Sequence, residues 1–352
     1  MDASNVPYVA LTMGDPAGVG PEVIAGVLAA PETASLQARL IVVGDSQRLE
    51  RAFKLIGETL PIVRCESIEE AKQSSVSEDG SRVVACWNPS TSDLSQVQDG
   101  TIDAQCGAAA YDWLVAATEA AKSGIIDGIV TAPLSKAALH LAGHHYPGHT
   151  EILAERCGVT DFAMMLYLPQ GEIVRSEFGL GVAHVTLHTS IASVPGLLSQ
   201  SAVSEKIELI HRFLKRIGAE TPRIGVCALN PHGGEGGLFG NEENEIIAPA
   251  VEESRKKGID ANGPFPADTL LQRAVAGRFD GVVAMYHDQG HIALKLIGFQ
   301  KAVNVTLGLP IVRTSPSHGT AYDIAWTNQV DSGGMKEALR VALQLIQTRD
   351  SA

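Results

Sequence analysis

Ten short runs rich in β-branched and aliphatic residues recur along this chain, and stretches with helical spacing of apolar residues separate several of them. That alternation limits the chain to few folds. The runs are YVALTM (8–13), LIVVGD (40–45), PIVRC (61–65), RVVACWN (82–88), GIVTAP (128–133), FAMMLYLP (162–169), VAHVTLH (182–188), IGVCALN (224–230), GVVAMYH (281–287) and VNVTLG (303–308). The helical patterns fall at 107–122, 201–217 and 335–347. Strands buried on both faces read as near-continuous apolar runs, and strands alternating with helices imply a largely parallel sheet covered by helices on each side. The fold class is therefore α/β in α/β/α layers.

At 352 residues the chain exceeds what one hydrophobic core usually fills, so two lobes with a cleft between them are expected. Hydrophobic residues make up 45% and charged residues 19%, with no long polar tract, as in an ordinary folded protein. A net charge of -13 without any basic run argues against a nucleic-acid partner, because phosphate backbones need clustered Lys and Arg. The five cysteines form no C-x-x-C pair, and their odd number fits reduced thiols in the cytoplasm. The start MDASNVPYVALTMGD lacks the pattern of a signal peptide, and no apolar stretch approaches a membrane span.

Three histidines stand at the ends of apolar runs: His188 closes VAHVTLH, His232 follows CALNP and His287 follows GVVAMY. Ligands of open α/β sheets bind where strand gives way to loop, so three imidazoles emerging there would make an open metal site with room for water or substrate. A hydrogen-bonded structural role is the bland alternative for each. Their neighbours, NPHGGE at 230–235 and YHDQG at 286–290, are polar and glycine-rich directly after strands, a costly arrangement usually explained by function. Lys295, Asn304 and Arg313 follow near successive strand ends and suit a phosphate or carboxylate. His149 and Thr150, in the loop GHHYPGHTE, suit an anion as well, whereas His144 and His145 stay unassigned. Asp268, in PFPADT, reads as a helix N-cap or as a functional carboxylate. The turn GDPAGVGPE (14–22) runs into a helix beginning near Pro21 and reads either as an anion cradle or as a tight structural turn. It matches neither G-x-G-x-x-G nor the P-loop pattern.

Taken in order, GDPAGVGPE, the lysine of TAPLSK, GHTE, the run ending in His188, LNPHGGEGG, GPFPADT, MYHDQG, VNVTLGLP and RTSPSHGTA resemble the 4-hydroxythreonine-4-phosphate dehydrogenase family of pyridoxal phosphate biosynthesis. The resemblance spans nearly the whole chain. It implies a two-lobed fold like that of isocitrate and isopropylmalate dehydrogenases, with 1–135 and 296–352 forming an NAD-side lobe and 136–295 a metal-binding and dimerisation lobe. It implies that His188, His232 and His287 bind a divalent metal, zinc first with magnesium or cobalt as alternatives, and that His149, Thr150, Lys295, Asn304 and Arg313 contact a small phosphorylated hydroxy acid. Asp268 and Lys136 are then the catalytic candidates, and His318, Gly319 and Thr320 the NAD-side loop. The implied reaction oxidises a C3 hydroxyl with NAD and then loses CO2 β to the new carbonyl. A homodimer sharing its active site between subunits is also implied.

Some positions depart from the biosynthetic pattern. Thr189-Ser190-Ile191 follows His188, Trp326 stands where glycine is expected, and 171–181 reads as an insertion. HHYPGHTEIL and YHDQGHIALKLIGF look more like the subfamily that oxidises 4-phospho-D-threonate or 4-phospho-D-erythronate, so both substrates remain open. Rival classes are a three-histidine metallohydrolase, which needs no cofactor pocket, and a sugar-acid-binding protein without turnover.

Overall fold

A computed structural model of the chain describes residues 6–75 and 82–348, so the first five residues of the expected leaderless start lie outside the described residues. The chain divides into two compact units, Met1–Thr160 with Leu309–Gln347, and Asp161–Gly308. Twelve strands are present among the described residues: β1 Tyr8–Thr12, β2 Arg39–Val43, β3 Ile62–Cys65, β4 Val84–Trp87, β5 Gly128–Thr131, β6 Ala163–Leu168, β7 Leu180–His184, β8 Arg223–Cys227, β9 Asp260–Phe265, β10 Gly281–Ala284, β11 Val303–Leu307 and β12 Val312–Pro316.

In the first unit the strands run in the order β3-β4-β2-β1-β5-β12, and every pair is parallel. Val9, Ala10, Leu11, Ile41, Val42, Ile129 and Val130 are fully buried, as both-face burial requires. The helix Ala104–Lys122 crosses behind this sheet with Trp113 and Leu114 in the core, and Asp103 caps it by accepting the Gln105 amide. The following helices, Lys136–Leu141 and His149–Cys157, pack on Ala104–Lys122. They thereby join this unit, past the expected boundary at 135.

The second unit orders its strands β11-β6-β7-β10-β8-β9. The pairs β7/β10, β10/β8 and β8/β9 are parallel, whereas β6 pairs antiparallel with both β11 and β7. Leu166, Val182, Leu270, Phe279, Val282 and Leu294 share its core. The antiparallel pairing of β11 with β6 keeps residues up to Gly308 in this unit, past the expected boundary at 295. The 171–181 stretch runs through the β6–β7 connection into the first two residues of β7, and is tied down by Val174, which is buried, and by Ser176, which donates to Asp280 at 2.7 Å. Among the described residues no helix is long and apolar enough to cross a membrane.

Candidate functional site

In the first unit the carboxyl end of β5 and its neighbour β12 bring cations together. Arg313 is not the residue after a strand, as its sequence context suggested. It lies inside β12 in register with Ile129 of β5, because the apolar run before it is split by the loop at 309–311. Its guanidinium is 2% exposed and donates to the Thr131 hydroxyl at 2.6 Å. Burial pulls its pKa down to about 9 against the opposing pull of Glu151, so the cation is poorly solvated and suits an anionic partner. His149 opens the helix His149–Cys157, and burial, with the positive charges of Arg313 and Lys136, holds its pKa well below the ordinary range. Thr150, buried, follows it in the same first turn. Lys136 opens the helix capped by the Ser135 hydroxyl. Its Cε and the Glu151 carboxylate flank Gly148, where a Cβ would stand 3.7 and 3.5 Å from them. Lys136, His149 and Arg313 are thus gathered around one small volume with one carboxylate beside them. His144, by contrast, stacks on Tyr111 with ring centroids 3.6 Å apart, a packing role.

The glycine turn resolves as a structural turn. Asp15 is fully buried and accepts the Ala17 amide and the Tyr322 hydroxyl, and its backbone carbonyl takes the Gly18 amide. Val19 donates to the Thr320 carbonyl, so these N–H groups are already engaged inside the fold. The loop carrying His318, Gly319 and Thr320 is therefore moored to the glycine turn. Farther along, the buried Glu22 carboxylate accepts the amides of Trp326 and Asn328. Trp326 has φ 61°, the left-handed region where glycine is cheapest, which explains why a glycine suits that position. The Arg51 guanidinium lies 4.3 Å from its ring. His318 Nδ1 lies 3.0 Å from the Gly319 carbonyl, and its buried Nε2 has no hydrogen-bond partner among the described residues. An imidazole nitrogen left in that state fits a loop that receives a polar cofactor.

In the second unit the three predicted histidines follow three adjacent parallel strands, β7, β10 and β8. Strand β7 stops at His184, so His188 sits four residues into the loop and is exposed; the run VAHVTLH is strand only in its first half. His287 opens the helix His287–Gly298 with its Nδ1 2.6 Å from the Asp288 carboxylate. A carboxylate on the second ring nitrogen is what orients a ligating imidazole. The rings of His188 and His287 approach to 6.1 Å, and both line a pocket of about 460 Å³ with Thr189, Ser190, Tyr286 and Asp288. His232 lies in a left-handed turn in which His232, Gly233, Gly234, Glu235 and Gly236 all have φ between 46 and 75°. Glu243, buried, fixes its base by accepting the amides of Leu229 and Asn230 at 2.8 and 2.7 Å. The His232 ring packs 6.4 Å from that of Phe239. Among the described residues no three His, Cys, Asp or Glu side chains stand close enough to hold an ion together. One chain thus brings His188 and His287 together and leaves His232 on the neighbouring strand's loop.

Asp268 is not an N-cap: Pro266 occupies that position, and Asp268 is exposed in the first turn of Ala267–Val275, after β9. Lys295 is exposed on the helix begun by His287, and Asn304 lies in β11, its buried Oδ1 without a partner among the described residues. Two further histidines were not singled out from the sequence. His184 is 1% and His291 6% exposed, with Nε2 of the first 3.1 Å from Nδ1 of the second. Burial first, then neighbouring imidazoles, lowers their pKa values to about 3 and about 4. The available signal was spacing, since 184/188 and 287/291 are both four residues apart.

A family profile described as pyridoxal phosphate biosynthetic protein PdxA matches residues 36–342. The chain is similar to the 4-hydroxythreonine-4-phosphate dehydrogenase of Geobacter metallireducens, 45% identical over 347 residues that cover 98% of this chain and 97% of the relative. It is similar as well to the D-threonate 4-phosphate dehydrogenase of Salmonella typhimurium, at 44% over 337 residues, 96% of this chain and 98% of the relative. The crystal structure of 4-hydroxythreonine-4-phosphate dehydrogenase from Klebsiella pneumoniae superposes with a TM-score of 0.82 and 42% identity, covering 97% of this chain and all of that one.

Proposed function

This chain belongs to the pyridoxal phosphate biosynthetic protein PdxA family, and from that premise we propose that it is an NAD- and divalent-metal-dependent dehydrogenase. Its substrate is a 4-phosphorylated 2-amino-3-hydroxybutanoate, oxidised at C3 and then decarboxylated. The observation that carries this reading is the placement of His188, His287 and His232 behind three adjacent parallel strands, two of them in one pocket and one oriented by a carboxylate. When bound, the metal supplies Lewis acidity at the substrate hydroxyl and NAD supplies the hydride acceptor.

The residues of the chain do the rest. Arg313, desolvated and already oriented by Thr131, binds substrate anion, with His149 and Thr150 beside it. Lys295 and Asn304 are further candidate substrate contacts. Lys136 and Asp268 are the candidates for proton transfer in this reaction. The loop 318–320 receives NAD. His232 stands apart from His188 and His287 within one chain, which accords with a homodimer whose metal ligands come from both subunits. The cytoplasm, where NAD is available and free cysteines persist, suits such an enzyme.

A second reading keeps the same chemistry with hydroxyl at C2: 4-phospho-D-threonate or 4-phospho-D-erythronate, giving dihydroxyacetone phosphate. Thr189 and Ser190 favour retaining it, because their hydroxyls line the His188 pocket and can both donate to and accept from a C2 hydroxyl. His232→Ala tests the metal assignment. It is expected to lose bound divalent cation and most turnover; a variant with wild-type kcat, or a wild-type enzyme indifferent to chelation, would refute it.

A further inference from the structure

Behind His287 the chain has placed two more imidazoles where an aliphatic pair would have filled the space without burying polar atoms. The ring of His291, one helical turn along, stacks on that of His287 with centroids 3.7 Å apart and planes 11° from parallel. His291 Nδ1 lies 3.1 Å from His184 Nε2, and His184 Nδ1 lies 3.4 Å from the Met164 carbonyl. A carbonyl only accepts, so His184 carries its proton on Nδ1 and presents a lone pair at Nε2. His291 must then donate from Nδ1. This fixes both rings from the backbone of β6 outward.

The surroundings are fitted to the pair. Gly290 sits between His287 and His291, and a Cβ there would stand 2.5 Å from His184 Nε2 and 2.8 Å from a Val182 methyl. Glycine inside a helix costs about 1 kcal/mol relative to alanine. Here that cost makes the room in which His184 reaches His291. On the other side, the Asp288 carboxylate holds His287 Nδ1. The His287 ring is thus gripped on one face by a ring that is itself hydrogen-bonded to the sheet, and on one edge by a carboxylate, with Nε2 left as its available lone pair.

We propose that His184 and His291 are a positioning pair that sets the orientation of the His287 ring for divalent-cation binding. The inference rests on the metal reading of His287 given above. Neither residue contacts substrate or cation in this scheme.

The test uses the full chain and Co2+, whose visible absorption reports its ligand geometry. His291→Leu removes the flat face and the hydrogen bond and should weaken Co2+ binding about 10- to 100-fold, the usual effect of losing a residue that orients a ligand. His291→Phe keeps a flat ring but donates nothing to His184, and should fall between wild type and His291→Leu. Unfolding midpoints in chelator establish that each variant is folded, and His291→Phe decides the matter if His291→Leu is not. Wild-type affinity and an unchanged Co2+ spectrum in a folded variant overturn the proposal. Nitrogen chemical shifts of the metal-free wild type give an independent check: His184 and His291 should both be Nδ1–H tautomers, and Nε2–H at either one overturns it. His287→Ala separates the two levels of the argument. If it leaves Co2+ binding intact, the metal reading fails, whereas loss with His287→Ala but not with either His291 variant removes the positioning pair alone.

Discussion

Arg313 illustrates how far a single residue could be understood before its surroundings were known. Its place after an apolar run singled it out, but its position inside β12, its near-complete burial and its bond to Thr131 needed the strand pairing. Such a buried guanidinium, with the Glu151 carboxylate near it, suits an anionic group of the substrate. Arg313→Ala should therefore raise KM for the phosphorylated acid about 100-fold, the scale of losing a buried charged partner, with little effect on KM for NAD. Equal effects on both constants in steady-state kinetics would count against an anion-binding Arg313. His149 was likewise legible as a candidate in a loop opening a helix, whereas Lys136 came only with the resemblance carried by TAPLSK. His184 and His291 were not. His184 lay in the middle of what read as one strand through 188, and nothing in the sequence marks that β7 stops there.

Elements followed the sequence where local pattern and tertiary environment agree. The helical stretches at 107–122, 201–217 and 335–347 correspond to Ala104–Lys122, Gln200–Arg216 and Gly333–Gln347. Strands β9 and β12 were not legible, and for physical reasons. DANGPF is an edge strand, hydrogen-bonded on one side only, so it tolerates Asp, Asn, Gly and Pro. VRTSP buries polar side chains that find partners only in the fold, Thr314 donating to the Ala338 carbonyl and Arg313 to the Thr131 hydroxyl. Conflict between local preference and packing also gives a prediction at this scale. Gly290→Ala should gain about 1 kcal/mol of helix propensity and yet lower stability, since the added methyl collides with His184 and Val182. Urea unfolding of the metal-free protein measures it; a raised midpoint would contradict the packing described.

For the molecule as a whole, the buried imidazoles make stability depend on pH. His149, His184 and His291 all have folded-state pKa values below the ordinary 6.5, the latter two at about 4 or less. Unfolded, each takes up a proton near pH 6.5, so the unfolded chain binds more protons and stability rises with pH through this window. The slope is up to about 1.4 kcal/mol per pH unit for each histidine. Asp15, whose pKa burial raises, acts in the opposite sense, but His144 and His211, whose pKa values burial also lowers, add to the three. The metal-free protein should accordingly unfold at lower urea at pH 5 than at pH 7; equal midpoints would mean that these rings are not held neutral.

The α/β class was legible because alternation is a global property. Where the units divide was not, because helix packing onto Ala104–Lys122 and the β11/β6 pairing are decided by contacts distant in sequence. The chemistry proposed for this protein is metal-dependent oxidation of a phosphorylated hydroxy acid by NAD. It is met most directly by following NADH absorbance with 4-phosphohydroxythreonine, 4-phosphothreonate and 4-phosphoerythronate side by side, before and after chelation and on returning Zn2+, Co2+ or Mg2+. NADH should form with at least one of these acids, vanish on chelation and return with cation. No NADH from any of them in the presence of every cation, or formation untouched by chelation, would contradict the account.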